Sequence, residues 1–123
     1  MQINPTSNIP IFLQIAEQLE NLIFTGVIKE EQQVPSTTEL SVSLSINPHT
    51  VLKGMNKLVE EDILYKKRGM GMFVKIGAQD KIREKRKDIF KEKLLKQFIE
   101  EAKKLNMTQE EVVAVIKEGF AHE

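Results

Sequence analysis

Two helix-start signals lie eleven residues apart in the stretch STTELSVSLSINPHTVLKGMNKLVEED, and they leave the chain between them little freedom. Ser36 has Glu39 three residues on, the arrangement in which a hydroxyl and a carboxylate satisfy each other's backbone amides at a helix start. Asn47 is a second such cap, and Pro48 follows it at the one helical position where a missing N–H costs nothing. A short helix therefore begins at Ser36, with Leu40 and Leu44 turned inward and Val42 a weaker candidate. Another begins at Pro48, with Val51, Met55, Leu58 and Val59 as its buried stripe and His49, Thr50, Lys53, Asn56 and Lys57 toward solvent. Only Ser45 and Ile46 stand between the first helix and the cap of the second, which is the tight joint of a helix-turn-helix.

The flanking segments complete a fold class. In IPIFLQIAEQLENLIFTG, Pro10 and Gly26 punctuate a run where Phe12, Ile15, Ala16, Leu19, Leu22 and Ile23 recur at helical spacing. After the second cap's helix the period changes: Ile63, Leu64 and Tyr65 precede a glycine-bearing basic turn, KKRGMG, and Met72, Phe73, Val74 and Ile76 follow it. That is a hairpin with Gly69 and Gly71 in its loop. The expectation is a mainly α fold with a small β hairpin, a winged helix-turn-helix over residues 1–77, its wing centred on Arg68.

Residues 78–123 are expected to form a two-helix tail. From Asp80 the chain reads as an uninterrupted helix with Ile82, Ile89, Phe90, Leu94, Phe98, Ala102 and Leu105 as its apolar positions. At ~1.5 Å per residue it approaches 40 Å, more than a domain of this size can cover. Thr108 and Glu111 cap a second helix that carries Val112, Val113, Ile116 and Phe120. A lone helical hairpin is thin, so the expectation is a homodimer held through Ile89, Phe90, Leu94, Phe98, Val112, Ile116 and Phe120.

Composition narrows the chemistry. A chain of 123 residues is one domain or a small domain with an appendage. It has no cysteine, hence no disulfide and no thiolate metal site, and only two histidines, His49 and His122, far apart. No serine sits in a nucleophile elbow, and Gly69 with Gly71 lies between strands without the third glycine of a phosphate-binding loop. Neither enzyme, metal nor cofactor is expected. No apolar run approaches the ~20 residues of a membrane span, and the N-terminus lacks the pattern of a secretory signal, so the cytoplasm is the expected compartment.

The net charge is zero, but it is unevenly laid out. Residues 1–46 carry a net −4, residues 47–75 a net +3, residues 76–104 a net +4 and the remainder −3. The positive charge sits over the second capped helix, the wing and the first tail helix, which suits a polyanion as well as a solvated face. The leading turn of the Pro48 helix presents Asn47, His49, Thr50 and Lys53, short donors and acceptors at a helix end whose amides favour phosphate. The wing offers Lys66, Lys67 and Arg68 around Gly69 and Gly71, which permit close backbone approach. Ser36 is placed to give a hydroxyl and an amide to phosphate. For Asn47 and Ser36, capping and contact are compatible roles.

From IPIFLQIAEQLENLIFTGVI through VPSTTELSVSLSINPHTVLKGMNKLVEEDILYKKRGMGMFV, the chain resembles the winged helix-turn-helix of GntR-family bacterial transcription regulators. Three motifs carry the likeness: P-S-x-x-x-L, N-P-x-T-V and R-G-x-G-x-F-V. The short tail makes it similar to the YtrA subfamily. The resemblance implies a dimeric repressor on double-stranded DNA at an inverted-repeat operator, often beside genes for a membrane transporter. It also implies DNA contacts at the positions named, and at Thr38, where the family usually has an arginine that is a principal contact. Asp62 replaces the glycine that commonly ends the recognition helix, Met72 replaces a small polar residue, and Gly54 within that helix implies either close packing or a poorly fixed helix. Two other readings stay open: a sensor whose small apolar effector, of unknown identity, binds between wing and tail near Met70, Met72 or Met107, and a winged-helix module that binds protein. For the methionines the alternative is core filling.

Overall fold

The computed structural model describes residues 1–122. Its elements are α1 (Ile11–Phe24), α2 (Thr37–Leu44), α3 (Pro48–Glu60), β1 (Leu64–Lys67), β2 (Gly71–Val74), α4 (Ala78–Ile89), a π-helical segment (Phe90–Leu95), α5 (Lys96–Lys104) and α6 (Gln109–Ala121). The chain divides into two compact units, Met1–Glu84 and Lys85–Glu123.

In the first unit the capping residues act as the sequence implies. Ser36 Oγ accepts from the Glu39 amide at 3.0 Å while Glu39 Oε1 accepts from the Ser36 amide at 3.2 Å, so α2 starts at Thr37. Asn47 Oδ1 accepts from the His49 amide at 2.8 Å and Pro48 opens α3. Between the helices Ser45 takes a left-handed φ of 54°, and Ser41 Oγ donates to the Ile46 carbonyl at 2.6 Å, closing the joint. Ile15, Leu19 and Ile23 of α1 pack with Val51, Met55 and Leu58 of α3, all essentially buried. Each such side chain stabilises the fold by about 1.5–3 kcal/mol relative to exposure. Leu40 joins this core; Leu44 and Val59 are half-buried, and Val42 is 75 % exposed. Val42, two residues from each of Leu40 and Leu44, falls roughly 160° around the helix from both and so lies on the solvent side of α2.

The hairpin pairs Leu64 with Val74, Tyr65 with Phe73, Lys66 with Met72 and Lys67 with Gly71. Ile63 precedes β1 but is buried, whereas Ile76 is 70 % exposed beyond β2. Met72 is a core residue, 9 % exposed, so core filling is its role. Residues 31–34 run beside β2, with the Val34 amide donating to the Met72 carbonyl at 3.0 Å and the Val74 amide to the Gln32 carbonyl at 2.9 Å.

The first compact unit extends to Glu84 and takes in the start of α4. Ala78 and Ile82 of α4 are fully buried in the first unit's core. The Glu30 carboxylate, from the loop after α1, accepts from the amides of Gly77 at 2.9 Å and Gln79 at 3.1 Å, capping α4 from 47 residues away in sequence.

The helix expected to run unbroken from Asp80 changes winding at Phe90–Leu95. Phe90, Leu94, Phe98 and Ala102 recur every four residues, which drifts around a helix of 3.6 residues per turn. A stretch with wider π turns takes up that drift. In the second unit Thr108 and Glu111 form the reciprocal cap of α6, with distances of 3.1 and 3.2 Å. Facing residues of α5 and α6, among them Phe98, Ile99, Val112 and Ile116, line an apolar groove of about 410 Å³ that also takes in Met107. Much of the unit's apolar surface stays open: Phe90 is 52 % exposed, Leu94 59 % and Phe120 78 %. Among the described residues no helix is long and apolar enough to cross a membrane.

Candidate nucleic-acid interface

The solvent face of α3 carries His49 and Lys53, both exposed, one turn apart on the side opposite the buried stripe. Thr50 is half-buried, turned toward the flank of α3 rather than its exposed crest. Lys53 has a neighbour the sequence did not suggest: its Nζ stands 4.1 Å from the centroid of the Phe12 ring of α1, a cation–π contact that orients the charge. Phe12, His49, Lys53 and Asn56 share an open groove of about 530 Å³ along the α1–α3 seam. Asn56 Oδ1 is buried there without a hydrogen-bond partner. Lys57 pairs with Glu61 at 3.7 Å.

Two expectations about backbone donors change. The amide of Ser36 is taken by Glu39, so Ser36 has only its hydroxyl proton for phosphate. The His49 amide is likewise taken by Asn47, whose side-chain NH2 is the part of that residue left by the cap. Thr37 turns inward, its hydroxyl donating to Met55 Sδ at 3.5 Å, while Thr38 beside it is exposed.

The wing places Lys66, Lys67 and Arg68 at the exposed end of the hairpin. The turn closes through the Met70 amide donating to the Lys67 carbonyl at 2.9 Å, with Gly69 at φ +76° and Gly71 at φ +111°, conformations that favour glycine. Lys67 Nζ lies 4.8 Å from the Phe73 ring centroid, and Phe73 stacks on Tyr65 at 5.9 Å. Beside the wing, Gln33 Nε2 donates to the Met70 carbonyl at 2.6 Å. A capped helix with an exposed polar crest and a cationic hairpin tip are thus carried by one rigid core.

A family model described as "Bacterial regulatory proteins, gntR family" matches residues 12–74, the span from α1 through β2. The chain belongs to the GntR family. Its likeness to YtrA proteins extends over the whole length: it is 32 % identical to the HTH-type transcriptional repressor YtrA of Bacillus subtilis over 97 % of this chain and 96 % of that protein. The solved structure of YtrA from Sulfolobus acidocaldarius, a GntR-family transcription factor, superposes with a TM-score of 0.60 at 30 % identity, covering 98 % of this chain and 97 % of that one. The crystal structure of AraR(DBD) in complex with operator ORX1 matches with a TM-score of 0.55 at 30 % identity over 60 % of this chain and 92 % of that one. The chain is accordingly a GntR-family DNA-binding transcriptional regulator; the family is one of regulators, not enzymes.

The departures from the family pattern acquire physical content. Asp62 has φ +61°, so the position after α3 needs a left-handed residue, and aspartate is among the few that tolerate it. Its carboxylate pairs with Lys75 at 3.3 Å and Lys81 at 3.4 Å. The Lys75 hydrogen bond and charge, then those of Lys81, hold its pKa below the ordinary 3.8. Gly54 is the point where α1 meets α3: a Cβ there would stand 2.6 Å from the Phe12 carbonyl oxygen and 3.2 Å from Ile15 Cβ and Cγ2. Close packing is therefore the reason for that glycine. Sequence reasoning missed Phe12 as the partner of Lys53, and missed Glu30 and Gln33 altogether. Their only signal was polarity in a loop, which every loop shares.

Proposed function

We propose that the protein is a dimeric repressor that seats two copies of α3 in successive major grooves of an inverted-repeat operator and thereby blocks transcription, with a transporter operon as its target. The observation that carries the reading is the pairing, in one chain, of a polar α3 crest and cationic wing with a separate unit whose apolar side chains are left open, Phe98 at 44 % and Ile116 at 41 % exposed among them. The first unit supplies DNA contacts through Ser36, Thr38, Asn47, His49, Thr50, Lys53, Lys67 and Arg68, with Gly69 and Gly71 shaping the wing. The tail supplies the dimer through Ile89, Phe90, Leu94, Phe98, Val112, Ile116 and Phe120. The name of the B. subtilis relative supports repression, and the AraR(DBD) complex supports an operator as ligand. Two-fold symmetry of the protein then requires half-sites about 34–36 Å apart, or a multiple of that spacing.

The test is selection of duplexes from a randomised pool by the full chain, followed by sedimentation of the complex. Two chains per duplex, a palindromic consensus, and loss of both dimer and tight binding in Phe98→Glu are expected. A single chain bound with undiminished affinity, or equal binding to scrambled duplexes, defeats the proposal.

A further inference from the structure

We propose that the wing senses the minor groove through the side chain of Met70, and that Gln33 is the positioning residue that fixes where Met70 stands. The inference rests on the DNA-binding reading and adds to it a residue that reads sequence where the wing was expected to supply only charge and backbone.

Met70 is an apolar side chain in a turn that otherwise holds Lys66, Lys67 and Arg68, and it is 59 % exposed. The core makes no demand on it, because Met72, two residues along, fills the inward position. In a regular strand residues two apart share a face. Gly71 at φ +111° interrupts that alternation, and Met70 is exposed where Met72 is buried.

The backbone at Met70 is already engaged. Its amide donates to the Lys67 carbonyl at 2.9 Å, and its carbonyl accepts from Gln33 Nε2 at 2.6 Å. What the residue presents outward is its thioether. Gln33 reaches the wing from 37 residues earlier, held by its own bridge to Phe73. The fit is close: a Cβ at position 71 would lie 2.8 Å from Gln33 Nε2 and would push the amide off the Met70 carbonyl, while φ +111° by itself favours glycine. The tip is thus pinned from a second segment, and the pin ends on the residue whose side chain projects.

Cations flanking an unbranched, polarisable chain match the minor groove, where phosphates line both edges and apolar side chains contact the floor. In that groove the guanine N2 amino group is the feature that separates G·C from A·T. A methionine against the floor is obstructed by that amino group and can offer it no acceptor of comparable strength to a carbonyl. The chemistry therefore favours A·T pairs beneath the wing.

The experiment uses the full chain and the highest-affinity duplex it selects from a randomised pool, with the pairs beneath the wing changed from A·T to G·C or to inosine·cytosine, which lacks the amino group. For the wild type, G·C is expected to weaken binding about tenfold and inosine·cytosine to restore it. Met70→Ala is expected to reduce that discrimination to below about twofold while leaving the salt dependence unchanged, since no charge is removed. Gln33→Glu, which sets an acceptor against the Met70 carbonyl, is expected to lose the same discrimination, and the double variant to be no worse than Met70→Ala, because both act through one side chain. Discrimination retained in Met70→Ala, inosine·cytosine behaving as G·C, or additive losses in the double variant overturns the proposal while the DNA-binding reading stands. A pool from which the wild type enriches nothing overturns both.

Discussion

Substituting Gly54 with alanine sets two effects of opposite sign against each other. In an exposed helix interior the change gains about 1 kcal/mol, because alanine is the better helix former. At this position the new methyl would stand 2.6 Å from the Phe12 carbonyl oxygen and 3.2 Å from two carbons of Ile15. Forcing extra volume into a packed core costs about 1–3 kcal/mol. Neither neighbour can yield by a rotamer change: one is backbone of α1 and the other a side chain with no exposed surface. The upper end of that range applies, which leaves a net loss of about 2 kcal/mol. For a unit of this size that is a fall in Tm of roughly 8–16 °C. Tyr65 makes the assay selective, since the chain has one tyrosine and no tryptophan, and Tyr65 stacks on Phe73 within the first unit. Its fluorescence on heating or in urea reports that unit alone. A Gly54→Ala variant with an unchanged or raised midpoint would mean that α1 and α3 have slack between them and that helix propensity governs the site.

Three further outcomes are expected. Arg68→Ala should weaken binding to specific and random duplexes alike and lower the salt slope by about one, whereas His49→Ala should change which selected duplex is preferred; equal losses for both variants on both duplexes would remove the distinction between wing charge and helix crest. Because Lys75 and Lys81 lower the Asp62 pKa in the folded state, the pair stabilises above the unfolded pKa and its contribution is lost as pH falls through the folded value. Asp62→Asn keeps the left-handed backbone acceptable and removes only the charge, so its midpoint should fall below the wild type's above about pH 4 and converge with it at lower pH or in ~1 M salt; a gap independent of pH would assign the effect to something other than ionisation. Glu30→Ala should cost the first unit about 1 kcal/mol through the lost cap of α4, a shift of roughly 4–8 °C seen by Tyr65; an unchanged midpoint would mean water replaces the carboxylate without loss.

What could be read from residues alone is what neighbours in sequence decide. Ser36 with Glu39, Asn47 with Pro48, and Thr108 with Glu111 set helix starts because each pair closes its hydrogen bonds within one turn. The buried stripes of α1 and α3 followed from the period of the helix, and the wing from glycines at turn spacing. The fold class emerged from those local rules together; the family came from the resemblance carried by the three motifs.

Tertiary structure decided everything that depends on partners far along the chain. Gly54 was equally consistent with a loose helix until Phe12 and Ile15 appeared against it. Asp62 looked like a lost glycine until φ +61° and the ion pairs with Lys75 and Lys81 showed how an aspartate fills that place. Glu30 and Gln33 act on residues 47 and 37 positions away, through hydrogen bonds that exist only once the core has brought the segments together. The division between Glu84 and Lys85 is of the same kind, because Ala78 and Ile82 carry no local mark that separates a core residue from one on a tail. Periodicity names the face a side chain lies on; only the packed chain determines what that face meets.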